Sequence, residues 1–119
     1  MKINEVEYLI LNSKKIIIEQ PVFLKLNAPI IICGNIGGQF LNLLKIFEID
    51  GSLPNSNYLF LGNYTLNTDY PDNNSIETLC LLLAYKIKYK NNIFLLRGEG
   101  ETLITNRIYG LYDECKKKI

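Results

Sequence analysis

The sequence predicts an α/β fold on a parallel sheet, with the element order α-β-α-β-α-β-α. Continuous apolar runs recur at three places, glycine follows each run closely, and the segments between the runs repeat apolar residues at helical spacing. Strands that alternate with helices form βαβ units, which give parallel strands and right-handed crossovers. We expect three strands at about residues 29–34, 57–62 and 92–97. They belong to a single domain that spans residues 1–119.

The helices are predicted from apolar spacing and from residues that favour helix ends. A first helix over residues 4–20 ends before Pro21, which cannot continue it. Asn74, with Glu77 three residues later, predicts the N-cap of the third helix. A last helix is predicted over residues 102–117. Apolar residues at i, i+3, i+4 and i+7 predict the second and third helices. In the second helix they are Phe40, Leu43, Leu44 and Phe47. In the third helix the same spacing continues through Ile76, Leu79, Cys80, Leu83, Ala84 and Ile87.

The strands are predicted to be buried on both faces. Residues 30–33, 58–61 and 93–96 are apolar without alternation, as is typical of parallel strands that are covered on both sides.

Composition excludes several functional classes. The chain has 119 residues, of which 48% are hydrophobic and 21% charged, with a net charge of +1. This balance predicts a folded soluble domain and argues against bulk electrostatic attraction to nucleic acid or an anionic membrane. Histidine is absent. A Ser-His-Asp triad, an imidazole general base and a His-ligated zinc site are therefore excluded for this chain alone.

The cysteines predict a reducing compartment. Cys33, Cys80 and Cys115 are odd in number and widely spaced, so we interpret them as buried apolar residues. No apolar segment resembles a signal peptide or a membrane span. We expect a cytoplasmic or nuclear protein without a membrane contact.

The chemistry is predicted to lie where the carboxyl ends of the strands meet, because ligands of open α/β sheets bind there. Three loops converge at this edge, at residues 34–39, 62–67 and 97–101. The first is a glycine turn that opens a helix, and such turns can hold phosphate with backbone N–H groups. Its spacing fits neither the dinucleotide-binding fingerprint nor the P-loop. An ordinary tight turn is the favoured interpretation.

These loops resemble the serine/threonine protein phosphatase family, and most closely its type-1 catalytic subunits. The family motifs GDIHGQ, GDYVDRG and GNHE correspond to residues 34–39, 62–68 and 98–101. The flanks at residues 56–62, 81–89 and 106–115 match better than the motifs do. The resemblance runs from about residue 5 to residue 117. It implies the N-terminal half of a metallophosphatase sandwich, in which the second layer of the sandwich lies beyond this chain.

The resemblance implies a two-metal hydrolase whose ligands have changed in this sequence. The family's first-loop Asp and His fall at Asn35 and Gly37, and its bridging Asp falls at Asn63. The third-loop metal ligand and general acid fall at Glu99 and Gly100. Only Glu99 is still a candidate metal ligand, and it is a weak one.

Two further positions belong to the second motif. The resemblance places a second Asp of the motif at Leu66 and a phosphate-binding Arg at Asn67. Neither side chain can take over the chemistry of the residue it replaces. We therefore expect no catalytic residue, no bound metal and no cofactor in this chain, although the family would use two divalent ions.

The leading interpretation is a catalytically inactive pseudophosphatase that acts as an interaction or structural subunit. Its partner would be a protein, or further copies of the chain, covering the apolar face that the missing layer leaves open. One alternative is residual or split phosphatase activity completed by another chain. Others are phosphate binding without hydrolysis and simple decay of the gene.

Lysines at the end of the third helix predict a solvated cap. An RNA or acidic partner remains an alternative for these lysines, which are Lys86, Lys88 and Lys90.

Overall fold

The predicted parallel sheet is present in a computed structural model, which describes residues 2–65, 74–102 and 114–116. The strands lie side by side in chain order and pair in parallel. This confirms the fold class and the first six elements. The predicted last helix lies mostly outside the described residues. The elements are α1 (Ile3–Glu19), β1 (Ile31–Cys33), α2 (Phe40–Asp50), β2 (Tyr58–Phe60), α3 (Ser75–Lys88) and β3 (Ile93–Leu95).

Each strand is about half as long as predicted. Three residues of each strand pair with the neighbouring strand, and beyond them the ladder continues by single bonds. The Leu61 N–H donates to the Cys33 carbonyl at 3.0 Å, and the Leu96 N–H donates to the Phe60 carbonyl at 2.9 Å. The backbone therefore leaves the sheet immediately before the glycine loops, which places those loops at one edge.

One face of the sheet is covered by helices and the other is open. Helices α2 and α3 pack on the same face, because two crossovers of one hand between strands in chain order lie on one side. On the open face, Ile32, Leu59 and Phe94 align across the strands; Ile32 is 61% exposed, and Leu59 and Phe94 are half-buried. The prediction that all strands are buried on both faces is therefore wrong. The covered core contains Cys33, Ile36, Leu43, Phe47, Tyr58, Phe60, Tyr64, Leu82 and Ile93.

A second, smaller core joins α1 to α3. Val6 of α1 packs with Ile76 and Cys80 of α3, and Leu9 and Cys115 pack against them. Helix α1 therefore rests on α3 rather than on the sheet. None of the helices in the described part of the chain combines the length and the apolar composition that a bilayer span requires.

The three cysteines are free thiols with little reactivity. Cys33 and Cys80 are buried, and Cys115 is half-buried. Burial raises the pKa of each thiol, and a nearby carboxylate raises it further: Asp50 for Cys33 and Glu77 for Cys80. These side chains pack as the sequence predicts, as small apolar groups that stay protonated at neutral pH.

The start of α3 differs from the prediction. Asn74 is the N-cap residue, but its side chain makes no cap hydrogen bond. The carboxylate of Glu114 instead accepts from the backbone N–H groups of Ser75 at 3.4 Å and Ile76 at 2.7 Å. A carboxylate from a distant segment thus satisfies the free donors at the helix start and complements its dipole. The predicted N-cap position is therefore confirmed, whereas the side-chain cap bond expected of Asn74 is replaced by this tertiary contact.

Lys86 ties the end of α3 to the start of β3. It is buried, and its ammonium group donates to the carbonyls of Lys90 at 3.0 Å and Ile93 at 2.7 Å. The ammonium nitrogen also lies 4.6 Å from the centre of the Phe94 ring. Of the predicted solvated cap, only Lys88 and Lys90 are exposed. Burial lowers the pKa of Lys86 from its usual 10.5 to about 8.

We predict that Lys86 makes the free energy of unfolding depend on pH. Between pH 8 and 10.5 the unfolded chain keeps the lysine proton that the folded chain has lost, so stability rises with pH in this window, by at most about 1.4 kcal/mol per pH unit. Below pH 8 both states are protonated, and the contribution is constant.

Urea unfolding of the wild type and Lys86→Met, at pH values from 7 to 10.5, measures this effect. Buried tyrosines and cysteines titrate in the same range, with the opposite sign, in both proteins. The stability difference between the two proteins isolates Lys86, and it should shift in favour of the wild type above pH 8. A difference that stays constant with pH would contradict the prediction.

Candidate functional site

The first two loops are joined backbone to backbone at the carboxyl edge of the sheet. The Gly37 N–H donates to the Asn63 carbonyl at 3.0 Å, and the Gly38 N–H donates to the Tyr64 carbonyl at 2.6 Å. Both glycines have positive φ, at 60° and 73°. Phosphate binding by this turn would need free N–H groups. These two are already bonded, so the bonds support the ordinary tight turn rather than an anion site.

The second and third loops approach each other closely at two glycines. A Cβ on Gly62 would lie 2.3 Å from the backbone nitrogen of Gly98, and the φ of Gly62 is 118°. A Cβ on Gly98 would lie 2.7 Å from the backbone nitrogen of Asn63. Both positions therefore require glycine, for space and, at Gly62, for conformation. The contact brings the residues after both strands into one cluster.

Glu101 holds this cluster together. One of its carboxylate oxygens accepts from the backbone N–H groups of Asn63 and Gly98, both at 2.8 Å. The other accepts from the Tyr64 N–H at 2.9 Å. The Arg97 Nε donates to the Glu101 carbonyl at 3.2 Å. A single carboxylate thus satisfies three backbone donors on two loops, and charge-assisted bonds of this kind are strong.

The role of Glu101 was missed in the sequence analysis. A signal was available, because Glu101 is the one acidic position of the three family motifs that this chain keeps. Where the metal-binding residues have changed and one carboxylate has not, a structural role for that carboxylate is the simpler interpretation.

Two asparagine side chains meet at the predicted metal positions. The Asn63 amide Nδ2 donates to Asn35 Oδ1 at 3.0 Å. The Asn63 Oδ1 accepts from the Gly100 N–H at 2.5 Å. Asn63 has a φ of 57°, in the left-handed region that asparagine and aspartate tolerate best among non-glycine residues. The Asn63 amide therefore bridges the first and third loops, one bond on each side.

The structure brings together most, but not all, of the predicted site positions. Asn35, Asn63 and Gly100 are linked by the amide bonds, and Gly37 joins them through the backbone. Glu99 is exposed, and no hydrogen bond among the described residues joins it to either asparagine. The two remaining predicted positions, Leu66 and Asn67, lie outside the described residues.

The residues present do not fit a two-metal centre. Amide oxygens are neutral and are poor bridging ligands for divalent ions, and those of Asn35 and Asn63 already accept hydrogen bonds. Gly37 and Gly100 offer no side-chain donor. Among residues 2–65, 74–102 and 114–116, no group of three or more His, Cys, Asp or Glu residues is placed to hold a metal ion.

Tyr64 closes the inner side of the cluster without being reactive. Its hydroxyl donates to the Leu96 carbonyl at 2.6 Å, which links the second loop to the end of β3. Burial and the nearby Glu101 carboxylate both raise the pKa of Tyr64. The phenol therefore stays protonated and acts as a donor that positions the loops, not as a general base.

Comparison with known proteins relates this edge of the sheet to phosphoesterases. The family model for calcineurin-like phosphoesterases matches residues 28–119. The fold is also similar to a solved protein serine/threonine phosphatase from Saccharomyces cerevisiae, described as having similarity to human phosphatase PP5. The two share 32% sequence identity with a TM-score of 0.90, over 99% of this chain and 38% of the yeast chain. The present chain thus spans well under half of that relative.

We predict that Glu101→Gln destabilises the fold by about 2–3 kcal/mol, because it leaves backbone donors of two loops without a charged acceptor. Glu99→Gln is the matched control. It makes the same chemical change two residues away on an exposed side chain, and its effect should stay within about 0.5 kcal/mol. Urea unfolding followed by circular dichroism measures both variants. Equal effects would contradict the structural role of Glu101.

Proposed function

We propose that this chain, which belongs to the calcineurin-like phosphoesterase family, is inactive as a phosphatase and serves as an interaction or structural subunit of a larger assembly. The observation that carries the proposal is the hydrogen bond between Asn35 and Asn63. Where the family resemblance places two anionic metal ligands, one neutral amide donates a hydrogen bond to the other. The loops are thus held in place by bonds that need no metal ion.

Electrostatics supports the loss of catalysis. In a two-metal mechanism the ions stabilise both the attacking and the leaving oxygen, and anionic ligands keep the ions in place. For scale, removing a single hydrogen-bond donor from an oxyanion hole costs roughly 3–4 kcal/mol of transition-state stabilisation. Here the positions matched to ligands and acid carry amides or no side chain, except Glu99. The remaining carboxylate cannot hold two ions.

The open face of the sheet supports a binding role. Ile32 lies in the middle of a strand and is 61% exposed, and it forms one apolar row with Leu59 and Phe94. Exposed apolar surface of this kind is typical of an interaction site. We propose that a protein with an apolar surface, or a further copy of the chain, covers it. The unpaired cysteines suit the cytosol or the nucleus, where we place this assembly.

The alternative function is phosphatase activity completed by another chain. It rests on Glu99 alone, which is exposed and makes no bond to the asparagine pair within the described residues. The proposal and this alternative differ in whether metal binds these loops.

We predict that the purified chain neither hydrolyses a small aryl phosphate nor gains thermal stability in 1 mM Mn²⁺, because its ligand positions carry too little charge. Release of the aryl alcohol, followed by absorbance, and the melting temperature with and without metal are the two measurements. Turnover above the blank that Asn35→Ala abolishes would contradict the proposal. So would a Mn²⁺-dependent rise in melting temperature that Glu99→Gln removes.

We also predict that the open face contacts another molecule in the native cell. A photoreactive amino acid at position 32 should give a discrete cross-linked product larger than the chain, because Ile32 is the most exposed residue of the apolar row on that face. Position 49 is the matched control, since Ile49 is also isoleucine and is 79% exposed, but lies near the end of α2. Absence of a product at position 32, or the same product at both positions, would contradict the binding role.

A further inference from the structure

One face of α1 carries large apolar side chains that remain exposed. Helix α1 packs on α3 through Val6 and Leu9. A different face presents four residues that are each between 49% and 69% exposed, which are Ile3, Ile10, Leu11 and Ile18. An apolar face on a surface helix calls for a partner.

Two opposite charges lie within this apolar face. At about 3.6 residues per turn, Glu7 and Lys14 fall along the centre of the face, and the four apolar residues flank them within an arc of about 100°. The arc is turned by roughly 130° from the side of α1 that packs on α3. Neither Glu7 nor Lys14 forms an ion pair with the residues that the structure describes.

The order of the six residues is self-complementary when the helix direction is reversed. If a second α1 lies antiparallel with its midpoint opposite the midpoint between Ile10 and Leu11, each residue of the face meets another residue of the face. Ile3 then lies opposite Ile18 of the second copy, and Ile10 lies opposite Leu11. Glu7 lies opposite Lys14, and by symmetry Lys14 lies opposite Glu7. A two-fold axis requires this kind of self-complementary surface.

We propose that two copies of this chain associate through α1, packed antiparallel in this register. The partner is a second copy because the charges on the face complement those of its own reversed sequence. In a parallel pair, Glu7 would face Glu7 and Lys14 would face Lys14, and like charges in contact are destabilising. The antiparallel register turns both repulsions into attractions and pairs every apolar residue of the face with another.

The size of this interface sets the expected affinity. Helix α1 has 17 residues, about 26 Å at about 1.5 Å per residue. A single pair of such helices falls at the low end of specific interfaces, which bury roughly 1,200–2,000 Å² in total. We therefore expect a dimer that dissociates in the micromolar range.

Charge reversal tests the register directly. Sedimentation equilibrium from about 1 to 100 µM should show a reversible monomer–dimer equilibrium for the wild type. Glu7→Lys and Lys14→Glu each place two like-charge pairs in the dimer, and each should raise the dissociation constant about tenfold or more. The double variant Glu7→Lys/Lys14→Glu restores both attractive pairs and should return the dissociation constant to near the wild-type value.

Matched controls separate this pairing from a general effect of charge. Lys15→Glu and Glu19→Lys make the same changes on exposed residues of α1 outside the face, and they should leave the equilibrium unchanged. Circular dichroism verifies that each variant keeps its helix content. A wild type that stays monomeric up to 100 µM would overturn the proposal. So would a dimer that single reversals do not weaken, or a double variant that does not recover.

Discussion

The arrangement of the three loops depends on one carboxylate. Glu101 accepts hydrogen bonds from three backbone N–H groups, two of which belong to the loop after β2 and one to its own loop. Those donors lie where two loops cross at contact distance, with a glycine on each side. These bonds are partly buried, so leaving one of the donors unsatisfied would carry a desolvation cost. The hydrogen bond from Asn63 to Asn35 and the bond from the Tyr64 hydroxyl to Leu96 both start from the loop that Glu101 holds in position.

Because Glu101 positions the loops, their arrangement does not require the metal chemistry of the phosphoesterase family. In a metal site, repulsion between clustered anionic ligands is balanced by the ion, and the loops and the ion stabilise each other. In the present chain the matched positions are neutral except for the exposed Glu99, so little such repulsion remains. The loops can be stable on hydrogen bonds alone, which explains how they keep their arrangement although the described residues offer no donor set for metal.

The fold was predictable from the sequence because its signals are local. Apolar runs that end in glycine mark the strands, and helical spacing marks the helices between them. What failed depended on contacts between distant segments. The apolar strand residues alone predicted that both faces of the sheet are buried. Which face is covered depends instead on the side of the sheet on which both crossover helices pack. Helix α3 does begin after Asn74, but the expected side-chain cap is absent, and Glu114, 40 residues later, accepts from the first backbone donors of the helix. Family motifs placed Asn35 and Asn63 in one site, but nothing local indicated that their amides bond to each other.

The backbone at position 63 also constrains how such a site changes over evolutionary time. A left-handed conformation is open to asparagine and aspartate but strained for most other side chains. Carboxylate and amide can therefore be exchanged here by a single substitution without reshaping the turn. The same loop can alternate between an anionic ligand and a neutral hydrogen-bonding group, whereas replacement by a bulkier residue would damage the turn itself. With either residue at position 63, the turn would keep the same backbone conformation.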